Sequence, residues 1–294
     1  RHHRAMSSPA EVFESHRRHL LAVAYRMLGS VAEAEDVVQE AYLRWQETGA
    51  AEIVTPRAWL TTVVTRLCLD QLKSARRTRE TYIGPWLPEP IYTDASSGDA
   101  ETLSLAFLVL LESLSAAERA AYLLHEVFDY SHAEVAQFLD KDEAACRQLC
   151  HRARTHLAAR RPRFAADKEQ HLRLLGGFMQ AVAAGDLAGL TGMLSADAAS
   201  YSDGGGKVRA ALNVVRGADP IARLWLGLQR RPSFASTAQR EVREVNGWPA
   251  LVLSTDGQVQ LVLGIETDGD KIYAMHAILN PDKLARLQAG GRRD

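Results

Sequence analysis

Up to about residue 161 the apolar residues of this chain recur at spacings of three and four; from about residue 170 the dominant spacing becomes two. Spacings of three and four lay a stripe on a helix, whereas alternation lays a face on a strand. One layer cannot satisfy both periods. The chain therefore reads as a helical N-terminal part followed by an α+β part. Its 294 residues leave room for two or three domains of roughly 100–150 residues each.

In the helical part, Phe13, His16, Leu20, Leu21, Ala24 and Leu28 form a first stripe, closed by Gly29 as a left-handed cap. Ser30 with Glu33 opens a second helix as a capping box; its stripe is Val37, Val38, Ala41, Tyr42 and Trp45, and Gly49 ends it. Thr55-Pro56 opens a third, with Trp59, Leu60, Val63, Val64, Leu67 and Leu72. The segment from Tyr82 to Pro90 carries three prolines in nine residues, and Asp94 to Asp99 is Ser/Gly/Asp-rich, so residues 80–102 form a linker. Tyr82, Trp86, Leu87 and Ile91 are too apolar for a plain tether and point to docking on a neighbouring domain.

A second helical segment covers about 101–161. Leu103, Phe107, Leu110, Leu111 and Leu114 make one helix; Ser115 with Glu118 begins another, continued by Ala121, Leu124 and Val127. After a turn at Asp129 to Ser131, two short helices flank Asp140 to Asp142. Beyond them a helix near 171–184 leads to Ser200–Asp203, a short polar run, and to Gly204-Gly205-Gly206, which is turn chemistry. Val208–Val215 reads as a strand and Gly217–Leu228 as a helix. Thr237–Val245, Pro249–Ser254, Gln258–Glu266 and Lys271–Leu279 read as four strands joined by Asn246-Gly247, Asp256-Gly257 and Asp268-Gly269 hairpins.

The net charge of −1 hides blocks of opposite sign. Residues 57–79 hold six basic groups (Arg57, Arg66, Lys73, Arg76, Arg77, Arg79) against Asp70, net +5. Residues 147–163 hold Arg147, Arg152, Arg154, Arg160, Arg161 and Arg163 and no acid, net +6. Residues 33–52 hold six acids against Arg44, net −5. Separate blocks suit separate partners, phosphates for the basic ones and a basic protein for the acidic one; ordinary solvated helix faces are the alternative.

The most specific constellation is residues 131–160. Ser131 with Glu134 caps one helix and Asp142 caps the next. On the second helix Cys146, Leu149, Cys150, Ala153 and Leu157 share one side; Arg147, His151 and Arg154, beside Gln148, Arg152 and Thr155, share another, and Glu143 sits in its first turn. That is a helix-turn-helix geometry, whose polar face enters the major groove. Arg reads guanine and Gln reads adenine there. A generic amphipathic helix pair is the alternative.

The run Tyr130 to Leu139, with Arg147 and His151-Arg152-Ala153-Arg154, resembles domain four of extracytoplasmic-function sigma factors, which in that family recognises the minus-thirty-five promoter element. Asp140 departs from the glycine usual in the turn, a position Asp tolerates at modest cost. The run Ala34 to Trp45 resembles the domain-two helix that docks on the polymerase β′ clamp helices; the match implies that Asp36, Gln39 and Glu40 face the core enzyme. Arg57-Ala58-Trp59-Leu60, with Arg66, Asp70 and the run from Lys73 through Arg76 and Arg77 to Arg79, resembles the element that melts and reads the minus-ten region. Stacking on Trp59 would hold an unstacked base, although on a stripe with Val63 and Leu67 core packing suits it too.

Tyr82 to Pro90 and Asp203-Gly204-Gly205-Gly206-Lys207 together resemble the subgroup of these factors, with mycobacterial members, that carries a fused SnoaL-like C-terminal domain. Arg1–Met6, with two adjacent histidines before a methionine, reads as a tag remnant. The resemblance implies sigma domain two at 7–80, the linker at 81–102, sigma domain four at 103–163 and an α+β SnoaL-like cone with a curved antiparallel sheet at 168–290. Core RNA polymerase (β′ clamp helices, β flap) and promoter DNA are the implied partners. A regulatory contact joining Tyr82, Pro85, Trp86 and Leu87 to Asp203, Gly204, Gly205, Gly206 and Lys207 is implied as well.

The rival reading is an enzyme or ligand-binding SnoaL-like domain fused to a DNA-binding regulator. Tyr201, Asp203 and His276 are its candidate acid–base groups; a lone His on a strand is more often structural. Asp203 to Lys207 is not a phosphate loop, lacking four residues between its glycines and a following Ser or Thr. Cys68, Cys146 and Cys150 form no disulfide framework and no metal-ligand set. No cofactor and no metal are expected. No stretch approaches the ~20 apolar residues of a membrane span, and no signal peptide is visible, so a cytoplasmic location is expected. A small ligand in the C-terminal domain stays open, and the sequence names none.

Overall fold

The computed structural model describes residues 8–48, 53–93, 100–159, 166–230 and 238–289, with backbone alone at 75–79. Arg1–Met6, Gly49, Asp94–Asp99, Arg160, Arg161, Arg163 and Thr237 fall outside the described residues, as do the side chains of Arg76, Arg77 and Arg79. Two compact units divide the chain: Arg1–Glu80 with Leu110–Arg160, and Thr81–Val109 with Arg161–Asp294.

The first unit begins with α1 (Pro9–Leu28), α2 (Val31–Thr48) and α3 (Pro56–Glu80). Ser8 and Glu11 cap α1 reciprocally, and Gly29 ends it at φ 70°, where glycine is favoured over other residues. Leu20, Val23, Met27, Val38, Trp45, Leu60 and Val64 fill the core between the three helices. Trp45 also donates its Nε1–H to the Pro9 carbonyl at 2.9 Å, fixing α2 to the start of α1.

The expected single helix over Leu103–Leu114 is broken. It forms α4 (Ala100–Leu103) and α5 (Leu105–Leu111), because the Ser104 hydroxyl accepts from the Phe107 amide and starts a new helix. The division between units falls inside α5, so residues 103–109 belong to the second unit. Next, α6 (Ala116–Tyr122) opens on the Ser115–Glu118 capping box. The chain over Leu123–Val127 then widens into a π turn instead of continuing α6. Asp129 at φ 57° reverses the chain into α7 (His132–Leu139) and α8 (Glu143–Ala158).

Two polar anchors bind these helices to the N-terminal bundle. Arg119, 3% exposed, donates to the carbonyls of Leu111 (3.0 Å) and Met27 (2.5 Å) and pairs with Glu112. Burial lowers its pKa to about 9. Tyr130 OH bonds both His19 Nε2 (2.8 Å) and Thr61 Oγ1 (3.1 Å). Burial first, then the charges of Arg57 and His16, lowers the His19 pKa to about 4.

In the second unit, α9 (Lys168–Ala184), α10 (Leu187–Met193) and α11 (Ala218–Gln229) cover one face of a six-stranded sheet in the order β2-β1-β6-β5-β4-β3. The strands are β1 (Leu194–Asp203), β2 (Val215–Arg216), β3 (Gln239–Val245), β4 (Trp248–Thr255), β5 (Gln258–Thr267) and β6 (Ile272–Ile278). Among the described residues, β1 and β6 are the one parallel pair. Leu251, Leu253, Leu263 and Met275 face those helices. Val252, Val262 and Ile278 face the other way, with Leu87, Leu105 and Leu284 of α12 (Pro281–Ala289). Asn246-Gly247 and Asp256-Gly257 adopt the paired positive φ of tight hairpins.

Two expectations for this unit are corrected, and one polar run is placed. Val208–Val215 is not a strand: only Val215 and Arg216 pair with β1, and the rest loops outward with Leu212 exposed. The short polar run Ser200–Asp203 is the buried end of β1, where Asp203 takes the Tyr82 hydroxyl, the Leu87 amide and Lys283 as partners. Asp268-Gly269 is part of a longer loop, in which the Asp268 carboxylate accepts from the amides of Asp270 and Lys271.

Arg119→Leu should destabilise the helical unit by about 3–5 kcal/mol, because Glu112 and two carbonyls lose a buried partner; urea titration followed by circular dichroism measures it. A histidine with a lowered folded pKa gives stability that is complete above its unfolded pKa and lost as pH falls through the folded one. His19 therefore loses its contribution between pH 6.5 and about 4. His19→Gln should flatten the stability–pH slope in that window by up to one proton, read from urea midpoints at pH 7 and pH 5.

Candidate functional site

The helix-turn-helix is built by local chemistry. Ser131 and Glu134 form a reciprocal capping box on α7, and Asp140 adopts φ 53°, ψ 53°, the left-handed turn that the sequence asked of it. Asp142 accepts from the Ala145 amide at 2.7 Å and starts α8. Cys146, Leu149, Cys150, Ala153 and Leu157 are buried. Burial raises both thiols, Cys150 to about 11. The Cys150 thiol donates to the Ala121 carbonyl, so both cysteines serve packing.

The opposite side of α8 presents Glu143, Arg147, Gln148, His151, Arg152 and Arg154, all exposed. Its arginines lean on acids of the same unit: Arg147 on Glu143, Arg154 on Glu126 at 2.5 Å, and Arg152 near Glu118 at 3.7 Å. Exposed pairs of this kind are worth roughly 0–1 kcal/mol, so they orient the guanidinium groups without withholding them from a phosphate.

On α2, Asp36 and Gln39 are exposed and Glu40 half-buried, with Arg44 bonded to Glu40 at 2.9 Å. Leu43, 46% exposed, continues the same face. On α3, Arg57 and Arg66 are exposed. The Arg57 guanidinium lies 5.6 Å from the centre of the Tyr130 ring, and Arg66 Nε donates to the Phe138 carbonyl at 3.4 Å. Lys73 pairs with Asp70 at 3.0 Å. Trp59 is half-buried, its ring 5.7 Å from that of Trp45, so it packs against the core while keeping an open side.

A second constellation centres on Asp203, which is 0% exposed. Its Oδ1 accepts from Tyr82 OH at 2.6 Å; its Oδ2 accepts from the Leu87 amide at 2.8 Å and from Lys283 Nζ at 2.6 Å. Its own carbonyl accepts from the amides of Leu279 and Asn280. Lys283 also donates to the Leu87 carbonyl and lies 4.2 Å from the Trp86 ring centre. Burial, then the bond to Asp203, pushes the Tyr82 pKa up. Pro85 is half-buried in this stretch.

The glycines fit tightly against the same linker. A Cβ on Gly205, at φ 58°, would collide with Asn280 Nδ2; one on Gly206, at φ 72°, would meet Ile83 at 2.7 Å. A Cβ on Gly204 would meet the Val208 carbonyl at 2.6 Å. Lys207 pairs with Asp282. Further along, Tyr92 bridges to Val245 and the Asn246 side chain donates to the Leu103 carbonyl. Asn280, Asp282 and Lys283 were not anticipated. The available signal was Asn280-Pro281-Asp282 at a helix start, which marks a cap but not a contact.

The three acid–base candidates lie on this linker-facing side of the sheet. Tyr201 stacks on His276 at 5.4 Å, and His276 lies 3.4 Å from Glu266. Burial lowers His276 to about 4 and raises Glu266 to about 7, so both tend to neutrality.

The sigma-70 region 2 family model matches residues 12–78, and the sigma-70 region 4 model matches 104–157. The chain is 41% identical over 96% of its length to the ECF RNA polymerase sigma factor SigJ of Mycobacterium tuberculosis, covering 95% of that protein. It is 33% identical over 94% of its length to the probable ECF RNA polymerase sigma factor SigI of the same species, again covering 95%. Among solved structures, the crystal structure of M. tuberculosis SigJ aligns with a TM-score of 0.74 at 40% identity, covering 93% of this chain and 97% of that one. Helical units matched by both sigma-70 regions, followed by a SnoaL-like α+β unit in the same order, place this chain in the family of extracytoplasmic-function RNA polymerase sigma factors.

Proposed function

We propose that the chain binds core RNA polymerase, recognises minus-ten and minus-thirty-five promoter elements, and starts transcription in the cytoplasm under control of its C-terminal unit. The observation that carries this reading is the exposed basic row on α8 together with the accessible row Asp36, Gln39 and Glu40 on α2, in one chain. A repressor needs the first and has no use for the second. Arg147, Gln148, His151, Arg152 and Arg154, with Glu143, face promoter bases and phosphates. Arg57, Trp59, Arg66, Lys73, Arg76 and Arg77 serve the minus-ten side. Asp36, Gln39 and Glu40 meet the polymerase.

Regulation runs through the linker. Tyr82, Trp86 and Leu87 are held by Asp203 and Lys283 within the C-terminal unit. The bound linker keeps the factor less able to engage polymerase. The chain acts as a binding protein, not an enzyme: both Asp203 oxygens are occupied and His276 is buried under Tyr201.

Run-off transcription with core polymerase on a pool of genomic fragments should yield defined transcripts, and their absence would sink the sigma reading. Arg147→Ala should weaken binding to the selected promoters by about 1–3 kcal/mol if it reads a base, or lower the salt slope by about one unit if it holds a phosphate. Asp203→Asn with Lys283→Met removes both buried charges together, so neither is left uncompensated. This double variant should raise run-off transcription about fivefold or more; unchanged transcription would remove the regulatory role.

A further inference from the structure

Side chains alternate across a strand. Where Tyr201, Asp203 and His276 face the linker, their neighbours Ser202 and Ala277 face the other side and line a cavity of about 280 Å³. Trp225 and Leu228 of α11 and Arg209 and Ala211 of the loop after Lys207 complete the wall. Past Trp225 a second cavity of about 230 Å³ opens between Met179, Val182, Leu251 and Leu253.

Three features give the first cavity a chemistry. Its wall is largely apolar, as ligand sites usually are. Trp225 is 3% exposed and lines both cavities, giving the wall an aromatic face. Arg209 is exposed at the wall, and no ion pair holds it among the described residues. The lining includes no other titratable group, so the site suits binding rather than acid–base turnover.

We propose that this cavity binds a small amphipathic carboxylate, with its apolar chain along Trp225 and Leu228, its charge at Arg209, and its occupancy transmitted to the linker. At about 30 Å³ per water-sized group, the space takes roughly nine such groups, the scale of a six- to eight-carbon acid. Transmission uses one loop. Gly204 packs on Val208 and Ala210, Gly205 and Gly206 touch Asn280 and Ile83 of the linker lock, and Arg209 to Ala211 wall the cavity. Ser202 and Asp203, adjacent on β1, look to the cavity and to the lock respectively. The coupling rests on the regulatory reading of the lock; the binding site does not.

The test uses the full chain, with octanoate as probe and octanol as its uncharged counterpart, by isothermal titration calorimetry. Octanoate should bind saturably and about tenfold tighter than octanol. Arg209→Ala should erase that preference while leaving octanol binding unchanged. Ala211→Trp, which fills the cavity from a partly exposed loop position, should abolish binding of both with cooperative unfolding retained. Absence of saturable binding by the folded chain, or binding that survives Ala211→Trp, overturns the site. For the coupling, octanoate should change hydrogen exchange of the Leu87 amide about fivefold or more. Binding without any such change overturns the coupling alone. It leaves the lock's own role to be decided by the Asp203 and Lys283 double variant.

Discussion

A carboxylate taken fully out of water must be paid for in partners, and Asp203 collects them from two distant stretches of chain. Tyr82 and the Leu87 amide come from the linker, and Lys283 comes from α12. Desolvating one charge without the other would cost several kcal/mol, so strand β1, the linker and α12 are obliged to be in place together. The glycines that follow Asp203 let the backbone close on Asn280 and Ile83, where any Cβ would collide. A segment with three prolines, unable to form a helix or donate a regular ladder, thereby becomes an ordered part of the C-terminal unit.

The helical unit rests on a similar arrangement at smaller scale. Tyr130 sits at the reversal before α7 and ties it to α1 and α3 through His19 and Thr61. Arg119 ties the start of α6 to the end of α1. Both anchors are polar groups with few geometric alternatives, so they specify one packing more strongly than the apolar contacts around them do.

What the sequence revealed follows the range of the interactions. Caps at Ser30, Ser115, Ser131 and Asp142 were legible because a cap is completed within three residues. The left-handed Asp140 and the buried side of α8 were legible for the same reason. The strand expected over Val208–Val215 failed because its β-branched ends look extended while no neighbouring strand is there to pair beyond Val215. The burial of the polar run Ser200–Asp203 was not legible, because burying Asp is unfavourable without partners, and those of Asp203 lie far off in sequence. Lys283 reaches Asp203 across 80 residues and Asn280 reaches Tyr82 across 198; no local pattern announces such a pair. Trp59 carried two readings, and its half-buried position against Trp45 leaves room for both.

The Tyr130 anchor has a consequence for length. Elements centred ten and thirty-five positions upstream of a start site lie about 25 base pairs apart, roughly 85 Å at 3.4 Å each. His19 on α1 and Tyr130 at the head of α7 are within hydrogen-bonding distance. A factor that reads both elements as proposed must therefore part them, and the chain that spans the gap is the linker. Its 81–102 stretch, drawn out at about 3.4 Å per residue, reaches roughly 75 Å. Held by Asp203, Lys283 and Asn246, most of that reach is folded away against the sheet. On the proposed reading the lock is a ruler: it sets how far apart two DNA contacts can stand on one molecule.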